Sequence, residues 1–226
     1  MTSFQLVKII IEDGETTYMP TMFGYTVLIL AMLLALLLGC LKFGNKKKIG
    51  VKQLSYSAMC IALAFVTSFI KVIQMPMGGS VTLLSMFFIT YIGYMFGPYA
   101  GFFTAIAYGF LQLIADPYII SIPQMLTDYI FAFGALGISG FFSKSHSKYA
   151  IIISYLAGTL GRYFFAFLSG LIFFGSFIPE GFSNAAIYSL AYNGAYIGAE
   201  AAITVFILCI PSVRKALNKM KIRENS

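Results

Sequence analysis

Three ionisable side chains stand inside runs that are otherwise apolar: Asp128, Arg162 and Glu200. A charge at the centre of a bilayer costs about 2.5–3.5 kcal/mol on insertion scales, so each needs a partner or a task. Arg162 lies 12 residues inward from Phe174 and Glu200 lies 14 inward from Ala186. At the rise of an α-helix both depths are about 18–21 Å from the outer ends of their runs. The pair is expected to form a structural ion pair between neighbouring antiparallel helices; a role in moving a substrate is the other reading. Asp128 sits close to the outer end of its run and is followed by Tyr129. Tyr188 and Asn193 lie within two turns of the outer end of the last run, and Phe173 and Phe174 close the one before it. Separate regions thus bring an acid, an amide and aromatic rings to one depth. An acid among aromatic faces suits a cationic aromatic ligand, through charge pairing and cation–π attraction. An interfacial aromatic belt with a snorkelling acid uses the same residues.

Other chemistry is missing from the sequence. There is no GxxxxGK[ST], no HExxH and no GxSxG string, so no nucleotide hydrolysis, metalloprotease or serine hydrolase chemistry is expected. The single histidine, His146, falls in a short basic loop. The chain is expected to be no enzyme and to need no cofactor or metal. Cys40, Cys60 and Cys209 lie in or at the ends of apolar runs and read as packing residues, with no disulfide framework.

The elements that hold these groups follow from composition. Of 226 residues, 59% are hydrophobic and 10% charged, and the mean hydropathy is +0.86. An ordinary soluble domain carries about 25% charged residues. The balance excludes a soluble enzyme, a secreted disulfide scaffold and a disordered regulator. It points to an all-α polytopic membrane protein. Apolar runs at 22–41, 54–73, 81–96, 99–115, 123–142, 149–174 and 186–210 predict seven spans, separated by Gly, Pro and charge. The net charge of +7 is no nucleic-acid signature, because the basic residues sit in clumps between the runs. With the N-terminus outside, Lys42, Lys46, Lys47, Lys48, Lys52, Lys144, Lys148, Arg214, Lys215, Lys219, Lys221 and Arg223 all fall in the cytoplasm. Only Lys8 and Lys71 fall outside. The positive-inside rule therefore predicts seven helices, N-out and C-in. Small residues recur every four at Ala31, Ala35 and Gly39, at Ala58 and Ala62, and at Gly194 and Gly198, spacing that lets helices approach closely.

From about residue 51 onward the chain resembles a known family. The segments PMGGSVTL (76–83), GFLQLIADPYIISIPQMLTDYIFAFGALGISGFF (109–142), RYFFAFLSGLIFFGSFIPEGF (162–182) and YSLAYNGAYIGAE (188–200) are similar, in this order, to the thiamine-specific S-components of energy-coupling-factor (ECF) vitamin transporters. The resemblance implies a six-helix membrane core that captures thiamine, or a related pyrimidine or thiazole compound, from outside. It implies a membrane coupling subunit and two cytoplasmic ATPases as partners, and a multi-pass location in a bacterial cell membrane. It assigns substrate binding to Asp128, Tyr129, Phe174, Tyr188 and Asn193, and contact with the coupling subunit to Ala58 and Ala62. Three positions depart from the family pattern: Asp128 stands for Glu, Phe174 for Trp and Ala166 for His. The run at 22–41 is an addition to the six-helix core. The chain therefore divides into residues 1–50, with an outer segment, the extra helix and a basic linker, and residues 51–226, the substrate-binding domain. The three membrane-depth charges also allow a stand-alone proton-coupled carrier of thiamine or a similar small cation.

Overall fold

Glycine and proline divide the apolar sequence into its helices. In a computed structural model, the described residues are 7–12, 15–21, 23–24, 26–27, 30, 50–175, 178–179, 182 and 184–225. Two strands, β1 (Val7–Glu12) and β2 (Glu15–Pro20), pair antiparallel in a region where the sequence predicts no regular element. Most of the predicted span at 22–41 lies outside the described residues, as do Ala31, Ala35, Gly39 and Cys40.

Helix α1 (Val51–Ser68) ends where Thr67 and Ser68 donate their hydroxyls back to carbonyls of the preceding turn. The chain then forms a hairpin of β3 (Lys71–Gln74) and β4 (Ser80–Thr82), closed by a 3-10 turn at Pro76–Gly78. Helix α2 follows at Ser85–Phe96. The predicted spans at 54–73 and 81–96 are corrected here, since the stretch between Ser68 and Ser85 holds the hairpin and no α-helix. Val72 and Ile73 supply apolar length, but branched side chains flanking a Pro-Met-Gly-Gly turn favour a hairpin. Met77 and Gly78 take φ of 60° and 88° in that turn.

Helix α3 (Pro98–Ala115) starts straight after α2. Gly97, at φ 94°, both ends α2 and begins α3, a conformation an L side chain resists, and Pro98 fits the first helical position. Helix α4 (Ile122–Phe142) is composite. Its first turn is capped by the Ser121 hydroxyl accepting from Gln124 N, residues Leu126–Phe131 form a π-helical turn, and Ala135–Phe142 tighten to 3-10 geometry. Helix α5 (Ala150–Phe173) and helix α6 (Ala185–Cys209) complete the six, α6 being capped by Asn184. α4 lies at the centre, packed on α2, α3 and α5, and α5 packs on α6. A last helix, α7 (Pro211–Asn225), carries the basic residues that follow the last apolar run. Tyr91 Oη donates to Leu217 O at 2.8 Å and Tyr94 Oη to Asn218 Oδ1 at 2.9 Å, while Lys221 Nζ sits 3.6 Å over the Tyr94 ring.

Helices α3, α4, α5 and α6 are long and apolar enough to cross a bilayer. Phe103, Leu160, Phe164 and Phe206 stand exposed on their outer faces, as lipid contact requires.

Candidate ligand site

A cavity of about 260 Å³ opens among the hairpin, α3, α4, α5 and α6. Asp128, Tyr129, Phe174, Tyr188 and Asn193, the five residues singled out from the sequence, all line it. So do Arg162 and Ala166.

The π turn of α4 carries Asp128 and Tyr129 as consecutive residues. Such wide turns recur at functional sites because they re-aim side chains that an α-helix would splay apart. Gln124, 1% exposed, holds the acid in place: its Nε2 donates to Asp128 Oδ2 at 2.6 Å and to Tyr118 O at 3.1 Å, and its Oε1 accepts from Ile120 N. The Tyr129 hydroxyl accepts from Tyr118 N at 2.7 Å and donates to Asp116 O at 2.9 Å. It fastens the loop between α3 and α4, so Tyr129 offers the cavity its ring. Tyr118 lies nearly parallel to Phe174, with ring centroids 6.1 Å apart and planes at 16°. On α6, Asn193 Nδ2 donates to Ala166 O and Ser189 O, and its Oδ1 accepts from Tyr196 Oη at 2.9 Å. The amide thus ties α6 to α5 beside the cavity.

The hairpin turn closes one side of the cavity. Gly79 N donates to Tyr192 Oη at 2.9 Å, Tyr192 Oη donates to Pro76 O, and Tyr188 Oη lies 3.7 Å from Met77 Sδ. Lys71 Nζ pairs with Asp116 Oδ2 at 2.5 Å across the rim. Sequence reasoning missed Tyr118, Gln124, Tyr192 and Tyr196. Tyr188, Tyr192 and Tyr196 recur every four residues, and that stripe is the signal that marks one ring-bearing face of α6.

The predicted ion pair of Arg162 and Glu200 is corrected. Glu200, 2% exposed, accepts from Thr82 Oγ1 at 2.5 Å, Ser85 Oγ at 3.1 Å and Met86 N at 3.0 Å. It caps the positive N-terminus of α2, which the hairpin brings down to its depth. Its oxygens are occupied, and Arg162 instead places its guanidinium 4.2 Å over the Phe133 ring. Equal depth on two helices did not make the two charges neighbours. Glu200→Ala is expected to leave buried donors unsatisfied, at a cost of about 3 kcal/mol. Thermal melting in detergent checks this: the variant should melt several degrees lower, with Glu200→Gln intermediate because it keeps one acceptor oxygen.

Ala58 and Ala62 lie exposed on α1, flanked by exposed Met59, Leu63 and Val66. Gly194 and Gly198 have open space or ordinary contact where a side chain would point. Cys60 is buried and Cys209 exposed. Among the described residues no three His, Cys, Asp or Glu side chains gather as a metal site.

Comparison with known proteins places the chain in a family. Residues 54–220 match the model of a family described as "Thiamine transporter protein". The thiamine transporter ThiT of Bacillus subtilis is 38% identical over 150 residues, covering 61% of this chain and 77% of the relative. ThiT of Lacticaseibacillus paracasei is 27% identical over 122 residues, covering 49% and 60%. A solved structure of ThiT from Listeria monocytogenes superposes with a TM-score of 0.65 at 26% identity, covering 76% of this chain and 97% of the other. An all-α, multi-pass protein of the bacterial cell membrane, with no enzymatic relatives among these, is what both the helices and the matches describe. With more than half of its length matched by the family model, the chain belongs to the thiamine transporter protein family.

Proposed function

We propose that the chain is the substrate-capturing subunit of an ECF-type importer. It takes thiamine, or a compound carrying its pyrimidine or thiazole ring, from the outer face. A membrane coupling subunit and two cytoplasmic ATPases then power release inward. The observation that carries this reading is Asp128, a carboxylate fixed by Gln124 in a cavity walled by tyrosine and phenylalanine rings. A buried acid among aromatic faces favours an aromatic cation over a neutral or anionic solute. The names of the matched relatives support thiamine. The absence of a nucleotide-binding string supports an external energy source. The exposed Ala58–Ala62 stripe supports docking of the coupling subunit on α1. In this reading residues 1–50 form an added unit on the core of residues 51–226, and seven spans run N-out to C-in.

The chain contains no tryptophan and 15 tyrosines, so ligand entry is read by tyrosine fluorescence. Saturable quenching by thiamine is the expected outcome. Proteoliposomes holding the chain alone should then bind thiamine without accumulating it, and accumulate it once the ATPase module is present. Uptake by the chain alone, abolished when the pH gradient is collapsed, would establish the proton-coupled carrier instead.

A further inference from the structure

Arg162 is the cavity group that the ion-pair reading left without a role. It lies eleven residues in from the outer end of α5 at Phe173, about 17 Å down the helix. Asp128 lies six residues in from Ile122, about 9 Å down α4. The cavity therefore carries its negative charge nearer the outer face and its positive charge deeper. The guanidinium rests over the Phe133 ring, and among the described residues no protein acceptor is hydrogen-bonded to its N–H groups. Two turns outward on the same face of α5, Ser169 is 1% exposed and lines the cavity on the side of Asp128, and among the described residues its hydroxyl has no partner at full hydrogen-bond geometry. Ala166, between them, adds no functional group. Buried polar groups are rarely left unpaired without reason, and five N–H donors around a planar cation suit an acceptor lying in an aromatic plane.

We propose that Arg162 donates a hydrogen bond to a ring nitrogen of the ligand's uncharged aromatic ring, and thereby sets which ring goes deep. The inference rests on thiamine-like capture as proposed above. A cationic ring is repelled by Arg162 and attracted to Asp128, so it stays at the outer level. The uncharged pyrimidine, with acceptor nitrogens, goes to the floor. Ser169 lies at the outer level and supplies a further donor or acceptor there.

The test is a cycle between protein and ligand. Wild-type protein and Arg162→Met are each titrated with thiamine and with two analogues in which one or the other pyrimidine nitrogen is replaced by C–H. Arg162→Met is expected to bind thiamine tenfold to a hundredfold more weakly, roughly the range for a hydrogen bond to a charged group. One analogue should lose as much on the wild type, and Arg162→Met should bind that analogue no worse than wild type does. A merely structural arginine would make the two losses multiply for both analogues, and that result overturns the contact. So does unchanged affinity of Arg162→Met for thiamine. If Arg162→Met fails to fold, Arg162→Lys enters the same cycle, where a partial loss with the same coupling supports the contact and multiplying losses overturn it. Wild-type protein that binds no thiamine at all overturns the ligand reading and this inference together. Wild-type binding with multiplying losses overturns the Arg162 contact alone.

Discussion

Asp128→Asn is expected to weaken thiamine binding by about a hundredfold or more, while a neutral analogue with an uncharged ring in place of the thiazolium changes by less than about threefold. Removing one partner of a desolvated charge pair costs about 2–5 kcal/mol, because the other charge is left buried and unpaired. The substitution keeps shape and keeps an oxygen to accept from Gln124 Nε2, now 2.6 Å from Asp128 Oδ2. The network through Gln124 to Tyr118 O and Ile120 N therefore survives. What disappears is the charge alone, so the neutral analogue serves as an internal control for geometry. Parallel titrations of both ligands against both proteins measure it. Equal losses for the two ligands would show that Asp128 shapes the pocket without reading charge.

Much of the arrangement behind that expectation is legible in the sequence. Six helices follow from apolar length and from breakers such as Gly97-Pro98 and Asp116-Pro117, because a hydrogen-bonded helix is what an apolar run must form in lipid. Depth is also legible, since rise per residue is constant. That is why Asp128, Tyr129, Phe174, Tyr188 and Asn193, chosen partly by depth, share one cavity. The direction a residue faces around its helix, and the element that faces it, are not contained in depth. Arg162 and Glu200 show the difference: at matching depth, one faces the cavity over Phe133 and the other caps α2. Of the partners of Glu200, Thr82 comes from a hairpin that dips inward and Ser85 from the first turn of α2 that follows it, and an apolar stretch rich in branched residues reads equally well as the end of a helix. The π turn at Leu126–Phe131 leaves no compositional mark either. It is selected by what packs against it, and that contact leads to the second large expectation.

Gly109→Ala is expected to lower the melting temperature by about 5 °C or more and to abolish high-affinity binding, whereas Gly198→Ala should do neither. Gly109 sits on α3 where it meets the π turn. A Cβ there would lie 2.0 Å from Tyr129 O and 3.2 Å from Phe133 Cβ. The nearest obstacle is backbone, so no rotamer change relieves it. Overpacking of this kind costs about 1–3 kcal/mol, and each kcal/mol moves the midpoint of a domain of this size by about 2–4 °C. Relief requires α3 and α4 to separate at Tyr129, the residue after Asp128, so the carboxylate and the ring move with it. The Tyr129 bonds to Tyr118 N and Asp116 O, which shape the cavity rim, are strained by the same shift. Gly198 on α6 has nothing within 4 Å of the same added atom. Alanine there gains about 1 kcal/mol of helix propensity and meets no neighbour. Melting curves with and without thiamine separate the two effects. Wild type and Gly198→Ala should gain stability from the ligand by mass action, and Gly109→Ala should not. A Gly109→Ala protein that melts as wild type and is stabilised equally by thiamine would mean that the close approach of α3 to the π turn does not hold Asp128 in place.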